Sequence, residues 1–425
     1  MAATGRAAVL AAYLATRSHR FADRAALAAW QRPRLRRALH RARTVFPGYA
    51  DVASDELADF PVIDRERWLA GFAGLNDRGL TLAECLDAAR AAESDRRFDT
   101  GLRGVSVGLS TGTSGRQGAF LTSPAERARW AGTMLAKALP GGLRAGARVA
   151  LVLRAGGPLY AAVGGSRISF RFVDLYAPPE QQRAELAAFA PTVLAAPPVL
   201  LDQLTAEARA GRPVCAPSTV YSVADVLDPD VAARIEDGFG VPPGQVYQAT
   251  EGFLGITCAH RTLHLNEDLL VVETEPLGDG RVAPVITDLY RRTQAIVRYR
   301  LGDVLRPSGR ACPCGSPMLA IDRIEGRCDD VLHLPRTDGR TASCYADLVR
   351  GAILGAPGVA DFQLDQDAPL RLRLAVVPDA AWPAACAALS GALAGAGFTP
   401  PAIVPAPFTP PDATRKRRRV SRSWQ

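Results

Sequence analysis

The sequence predicts a two-part α/β protein: a large N-terminal body with a β-rich portion, then a small C-terminal α+β domain. Three observations carry this. Apolar strand-like runs alternate with helical periods from Arg148 to Phe239, the signature of parallel strands with crossover helices. From Leu263 to Val304 the pattern turns to closely spaced strands. After Arg327 it becomes a short mix of helices and strands. At 425 residues the chain holds roughly two to three domains of about 150 residues. The expected division is residues 1–328 and 329–425.

Taken in order, residues 1–45 read as Ala/Arg-rich helix punctuated by Pro33, with Pro47-Gly48 ending it. Asp64 is placed to cap a helix from Arg65. Val105 to Ser110 reads as a strand entering a Gly-rich loop, and Ser123-Pro124 opens a helix as N-cap and first-turn proline. Strands are expected at Arg148–Leu153, Ile168–Val173, Thr192–Ala195 and Val220–Val223. Helices between and after them are expected at Pro179–Phe189, Pro198–Ala210 and Pro229–Phe239. The β-rich portion contributes Leu269–Thr274, Val282–Thr287 and Ala295–Tyr299. The last part offers a helix near Tyr345–Leu354, a strand at Leu370–Val377 and a helix at Trp382–Leu393. A Pro-rich linker, Pro400 to Pro411, leads to a basic tail.

Composition narrows the function classes. Apolar residues make up 48% and charged residues 22%, which suits a globular chain. No apolar run reaches the roughly 18–20 residues of a membrane span, and Ala7–Ala15 lacks the flanks of a signal peptide, so a cytoplasmic protein is expected. The net charge of +8 is concentrated in six basic residues between Arg415 and Arg422, leaving +2 on the remainder. A nucleic-acid binder is therefore not expected. Of 51 basic residues only Lys137 and Lys416 are lysine, so each lysine is worth asking about. Eight cysteines in a chain of this length are no disulfide framework, and close pairs among them suggest metal or redox chemistry.

The Gly-rich loop runs Ser110-Thr111-Gly112-Thr113-Ser114-Gly115-Arg116-Gln117-Gly118, three glycines and four hydroxyl residues in nine positions. Glycine lets backbone amides approach an anion, and hydroxyls add donors to phosphate oxygens. It is not a Walker A loop. Three further blocks follow: Tyr247-Gln248-Ala249-Thr250-Glu251-Gly252, Tyr299-Arg300-Leu301-Gly302-Asp303 and Glu325-Gly326-Arg327-Cys328-Asp329-Asp330. In this order the four blocks resemble the core motifs of the adenylate-forming (AMP-binding) superfamily. Thr287-Asp288-Leu289, Cys312-Pro313-Cys314-Gly315 and the last block resemble the phenylacetate-CoA ligase and coenzyme F390 synthetase branch. The resemblance runs from about residue 105 to 332 and is patchy after 335.

The resemblance implies ATP-dependent activation of a carboxylic acid to an acyl-adenylate with release of pyrophosphate. It assigns Ser110 to Gly115 to the β and γ phosphates and Thr250 to the α-phosphate. Glu251 would hold Mg²⁺, a cation that favours oxygen ligands. Tyr247 and Asp225, the latter in Ser222-Val223-Ala224-Asp225, would lie at the adenine, with Asp303 and Arg327 at the ribose. Lys416, in Lys-x-x-Arg-Val, would bridge carboxylate and α-phosphate, a task that suits a compact ammonium. Asp329 falls where the family hinges its small domain. Coenzyme A is the expected acceptor, a carrier-protein thiol or an amine the alternatives, and oligomeric state stays open. A non-catalytic nucleotide-binding scaffold with a partner at its basic tail is the reading from a different class. The loop Val331 to Arg340 and Gln117 depart from the usual pattern of such ligases. Tyr160 and Phe170 are candidate walls of an apolar or aromatic acid pocket that also involves Gln248 and Ala249.

A second centre is read from residue types. Cys258, His264, Cys312 and Cys314 would make a Cys₃His set for structural Zn²⁺, with His260 able to stand in for His264. Cys85, Cys215, Cys328, Cys344 and Cys386 read as small packed residues.

Overall fold

The computed structural model describes residues 3–97, 101–109, 117–139, 141–165, 167–328, 331–411 and 417–424. The chain divides into two compact units, Met1–Leu301 with Arg306–Arg323, and Gly302–Leu305 with Ile324–Gln425. The expected phosphate-loop residues Ser110, Thr111, Gly112, Thr113, Ser114 and Gly115, the expected hinge residue Asp329 and Lys416 lie outside the described residues.

The large unit opens with helices α1 (Ala3–Arg17), α2 (Arg24–Val45), α3 (Arg65–Ala70), α4 (Leu82–Ser94) and α5 (Pro124–Ala138). Asp64 caps α3 by accepting from the Arg67 amide, and Ser123 and Glu126 form a reciprocal capping box at α5. Pro33 does not punctuate as expected; it lies inside α2. Ala29, whose carbonyl loses its helical partner there, is exposed, so water can take that place. The break falls instead at residues 18–23, where Asp23 caps α2. α1 and α5 pack backbone to backbone: a Cβ on Gly132 would sit 2.3 Å from the Val9 carbonyl oxygen.

A three-stranded antiparallel sheet holds β1 (Gly101–Leu102), β2 (Val105–Leu109) and β3 (Ala119–Thr122). The strands flanking the Gly-rich segment, β2 and β3, pair with each other. The main sheet begins with β4 (Ala147–Leu153), β5 (Ile168–Asp174), β6 (Val193–Ala196), β7 (Thr219–Ser222) and β8 (Gly244–Ala249). These five are parallel, in the order β5-β4-β6-β7-β8, and helices Pro179–Phe189, Pro198–Arg209 and Pro229–Phe239 connect them. β9 (Gly252–Thr257) and β10 (Leu263–Leu265) continue the sheet antiparallel. β11 (Leu270–Gly278) and β12 (Arg281–Asp288) form a long hairpin, and β13 (Tyr299–Arg300) adds to β12. Ala295–Val297, expected as strand, is not: its apolar side chains are buried, but Ala295 bonds back to Leu75. β14 (Asp303–Pro307) and β15 (Ala320–Arg327) cross the boundary between units. Among the described residues, two of this unit's apolar cores bear on the site. One lies under α2–α4, around Tyr49, Phe60, Phe72 and Tyr299. The other lies between α5 and the sheet.

The small unit has a hairpin, β16 (Leu332–Pro335) and β17 (Thr341–Cys344), and a four-stranded sheet. That sheet runs β20 (Ala402–Pro405), β19 (Arg371–Val377), β18 (Asp361–Ala368), β21 (Val420–Arg422). Helices Ala346–Leu354 and Trp382–Gly395 pack on it around Phe362, Leu364, Leu374 and Leu389. Two sequence expectations are corrected here. The Pro-rich segment contributes β20, paired parallel with β19. The basic tail from residue 417 is folded: Arg417 and Arg419 both donate to Asp361, at 2.6 and 3.0 Å, and Val420 is buried. The carboxylate at the head of β18 neutralises charge that composition alone assigns to solvent.

Candidate active site and Cys₃His centre

Parallel strands present their carboxyl ends along one rim, where α/β sheets form their ligand crevices. Two predicted blocks reach that rim on neighbouring strands. Asp225 follows β7 after Ala224, whose φ of +69° turns the chain, and accepts from the Val226 amide at 2.9 Å. Thr250 and Glu251 are the two-residue turn between β8 and β9, since Ala249 pairs with Gly252. Tyr247 lies in β8 and packs, half-buried, against the core under α2–α4.

Glu251 is a buried carboxylate, 6% exposed. The Tyr299 hydroxyl donates to it and accepts from Arg65. Burial first, then the charge of Glu251, pushes the Tyr299 phenol far above its usual range, so it stays a donor. The motif tyrosine therefore aims the motif glutamate. Arg291 donates to the Thr250 carbonyl at 2.5 Å and fixes the turn from its other side. Arg291 leaves β12 just after Asp288, whose buried carboxylate accepts from the Tyr290 and Arg291 amides at 2.7 and 2.9 Å. Burial pushes the Asp288 carboxyl upward.

Gln248, beside the turn, accepts from Trp130 Nε1 at 3.2 Å. Trp130 meets Tyr160 edge-to-face, centroids 5.5 Å apart. Burial pushes the Tyr160 phenol up to about 12. Phe170 packs in the same apolar cluster. The structure thus joins Gln248 and Tyr160 through Trp130.

Asp303 and Arg327 belong to the small unit. Gly302, at φ +74°, lies against Arg327: a Cβ there would be 3.4 Å from its guanidinium. The Cys328 amide donates to the Gly302 carbonyl at 2.7 Å, so the Asp303 and Arg327 motifs are locked together.

The Cys₃His set is brought together, with all four donor atoms within 4.8 Å of one another. Cys258 and His264 come from the β9–β10 hairpin, which Arg261 turns at φ +62°. Cys312 and Cys314 sit on a turn closed by Gly315, φ +72°, whose amide donates to the Cys312 carbonyl. Cys258 Sγ is 3.6 Å from Cys312 Sγ, and Cys314 Sγ is 3.4 Å from His264 Nε2. Tetrahedral bonds of about 2.0–2.3 Å put ligand atoms at such spacings, so the residues fit Zn²⁺ with no open position. His264 Nδ1 lies 3.1 Å from the Met318 carbonyl, an outer hydrogen bond that turns Nε2 to the centre. His260 is exposed and outside the group. Burial alone would raise the Cys312 thiol, but hydrogen bonds from Thr262, the Cys314 backbone and His264 outweigh it and bring it down to about 6. Burial pushes Cys314 up to about 11.

Sequence reading missed Arg65, Trp130 and Arg291, which carry no motif spacing of their own. It also gave Lys137 no context. Lys137 Nζ lies 2.9 Å from Asp268 Oδ1, and His19 Nδ1 is 2.8 Å from Oδ2 of the same fully buried carboxylate. Despite burial, the charge of Lys137 and these bonds hold Asp268 below the usual range.

No family model matches the chain. A phenylacetate-coenzyme A ligase from Thermus thermophilus is 26% identical over 142 residues, 30% of this chain and 31% of that protein. The matched stretch therefore spans about a third of that relative's length. A crystal structure of 2-hydroxyisobutyryl-CoA ligase, in the postadenylation state with 2-HIB-AMP, matches at TM-score 0.66 and 18% identity. That match covers 91% of this chain and 87% of the other. An amide bond synthetase from Marinactinospora thermotolerans matches at TM-score 0.52 and 15% identity, over 75% and 68% of the two chains. Among the described residues no helix is long and apolar enough to cross a membrane.

Proposed function

We propose that this chain, which has the fold of the adenylate-forming superfamily, uses ATP to activate an apolar or aromatic carboxylic acid as its acyl-adenylate. The observation that carries the reading is the Thr250–Glu251 turn at the carboxyl end of β8, with Glu251 buried and held by Tyr299. Tyr299 supplies the donor that a buried carboxylate needs and fixes where Glu251 points.

In this reading the carboxylate oxygen attacks the α-phosphorus of ATP, the bond to the β-phosphate oxygen breaks, and pyrophosphate leaves. Catalysis is positioning plus electrostatic stabilisation of the crowded phosphoryl oxygens. Thr250 donates to the α-phosphate, and Ser110 to Gly115 hold the leaving phosphates. Glu251 would hold Mg²⁺, which neutralises phosphate charge when bound. Tyr247 and Asp225 take the adenine side, Asp303 and Arg327 the ribose. Lys416 bridges the two reacting groups. Trp130 and Tyr160 wall the acid. Cys258, His264, Cys312 and Cys314 would hold a structural Zn²⁺ that fastens the 312–319 loop to the β9–β10 hairpin. Residues 1–328 would form the ATP and acid domain, and 329–425 a mobile domain turning at Asp329.

Coenzyme A is the acceptor we propose, in line with the CoA ligases among the similar proteins. Transfer to an amine is the second reading. It is favoured by the similarity to an amide bond synthetase and by the sequence from Val331 to Arg340, which departs from the usual pattern of CoA ligases. Pyrophosphate exchange with Mg²⁺-ATP against aryl, aliphatic and amino acids tests the activation step. Exchange with one acid class, abolished in Lys416→Ala, is the expected result. ATP binding without exchange for any acid would instead support a non-catalytic scaffold.

A further inference from the structure

A cavity of about 530 Å³ lies in the large unit between α2, α5 and the turn after β12. Six arginines line it: Arg34, Arg37 and Arg41 from α2, Arg129 from α5, and Arg291 and Arg292. The α2 spacing of three and four residues puts its three arginines on one helix face. Among the described residues, none that lines it is acidic. Arg41 pairs with Asp77 at 3.0 Å, and Arg291 feels the carboxylates of Glu126 and Asp288. The guanidiniums of Arg34, Arg37, Arg129 and Arg292 have no carboxylate partner among the described residues. Arg34 is fixed by other means: it lies 3.2 Å over the Trp30 ring, and its Nε donates to the Tyr290 hydroxyl at 3.0 Å. Arg129 lies 4.3 Å over the Tyr290 ring. Ala15, Ala38 and Leu289 give the cavity an apolar wall between these groups.

Like charges gathered in a concave wall repel one another unless an anion enters. We propose that the cavity is a binding site for a nucleotide carrying at least two phosphate groups. Guanidiniums take phosphate oxygens in pairs, and the aromatic and apolar wall takes the base. A volume of about 530 Å³ lies within the roughly 300–1,000 Å³ of small-molecule sites and exceeds the needs of a single phosphate. The phosphoadenosine half of coenzyme A and a free adenine nucleotide share this chemistry. The site also touches the activation machinery, because Arg291 lines the cavity and holds the Thr250 carbonyl.

The test is calorimetric titration of the full chain with 3′,5′-ADP, comparing wild type with Arg37→Gln/Arg129→Gln. Both side chains are exposed. An unchanged melting temperature and intact pyrophosphate exchange would separate this site from the adenylation reading. The double variant is expected to bind roughly tenfold or more weakly, with the affinity falling as salt rises. Arg292→Gln gives an independent variant with the same expected direction. Coenzyme A displacing 3′,5′-ADP would assign the site to the acceptor, and ADP alone displacing it would assign a free nucleotide; both support the proposal. Equal affinity in wild type and both variants, or no binding to wild type at low salt, overturns it. Displacement by inorganic pyrophosphate as effective as by 3′,5′-ADP overturns the nucleotide assignment.

Discussion

The Tyr299 hydroxyl donates to the Glu251 carboxylate, joining two motifs 48 residues apart in sequence. Tyr299 is 2% exposed and Glu251 6%, so the bond forms away from water, where a hydrogen bond to a charged group is worth about 1.5–3 kcal/mol. Tyr299→Phe keeps the ring and frees the carboxylate to turn. The expected outcome is a rise of roughly tenfold or more in the Mg²⁺ concentration needed for half-maximal exchange. An unchanged Mg²⁺ dependence would separate Tyr299 from the proposed metal role of Glu251.

Trp130 connects Gln248 to Tyr160. Trp130→Ala removes an edge-to-face partner and leaves the Gln248 amide oxygen without its donor. The ratio of kcat/KM between aromatic and aliphatic acids should fall by about tenfold, with KM for ATP unchanged. A uniform loss for every acid would mean Trp130 only packs.

The Cys₃His centre has four donors at bonding spacing and no open position. Protein purified without chelator should carry equimolar zinc, and Cys312→Ser should lose it and melt at lower temperature. Exchange measured well below that melting temperature should persist, since a closed centre meets no substrate. Zinc-free wild-type protein of undiminished stability would argue against the site.

Asp361 holds both Arg417 and Arg419, and Arg417 adjoins Lys416 in sequence. Asp361→Asn should slow exchange by about tenfold while leaving ATP binding nearly intact, because each charged hydrogen bond lost loosens the strand next to the proposed catalytic lysine. Equal losses in exchange rate and melting temperature in Asp361→Asn and in a distant destabilising variant would reduce Asp361 to a fold-stabilising residue.

Asp268 is fully buried and satisfied by Lys137 and His19. Lys137→Met leaves that carboxylate without its cation and should cost about 3–5 kcal/mol of stability, part of which Asp268→Asn restores in the double variant. The pH dependence follows from the sign of the shift. Asp268 is held below the ordinary value of 3.8, so its stabilisation is present above that value and disappears as pH falls through the depressed one. Thermal melts from pH 7 to 3 should show a steeper acid limb in wild type than in Asp268→Asn.

The α/β alternation was legible because each strand and helix declares its period locally: the expected helices Pro179–Phe189 and Pro229–Phe239 match the observed limits. The Cys and His residues of the second centre were legible as a set because few other roles suit a C-x-C turn. Pro33 and the Pro-rich and basic segments near the end misled, since proline and arginine favour breaks and solvent only when nothing across the fold takes them up. β19 takes up residues 402–405, and Asp361 takes up Arg417 and Arg419. By itself the sequence determined the elements, the motif order and the ligand types, all properties of neighbours along the chain. Tertiary structure alone decided that His264 rather than His260 faces the cysteines, that Tyr299 and Arg291 hold the Thr250–Glu251 turn, and that arginines from three elements gather around one cavity. These pairings join residues tens to hundreds of positions apart, and burial, not local propensity, sets their strength.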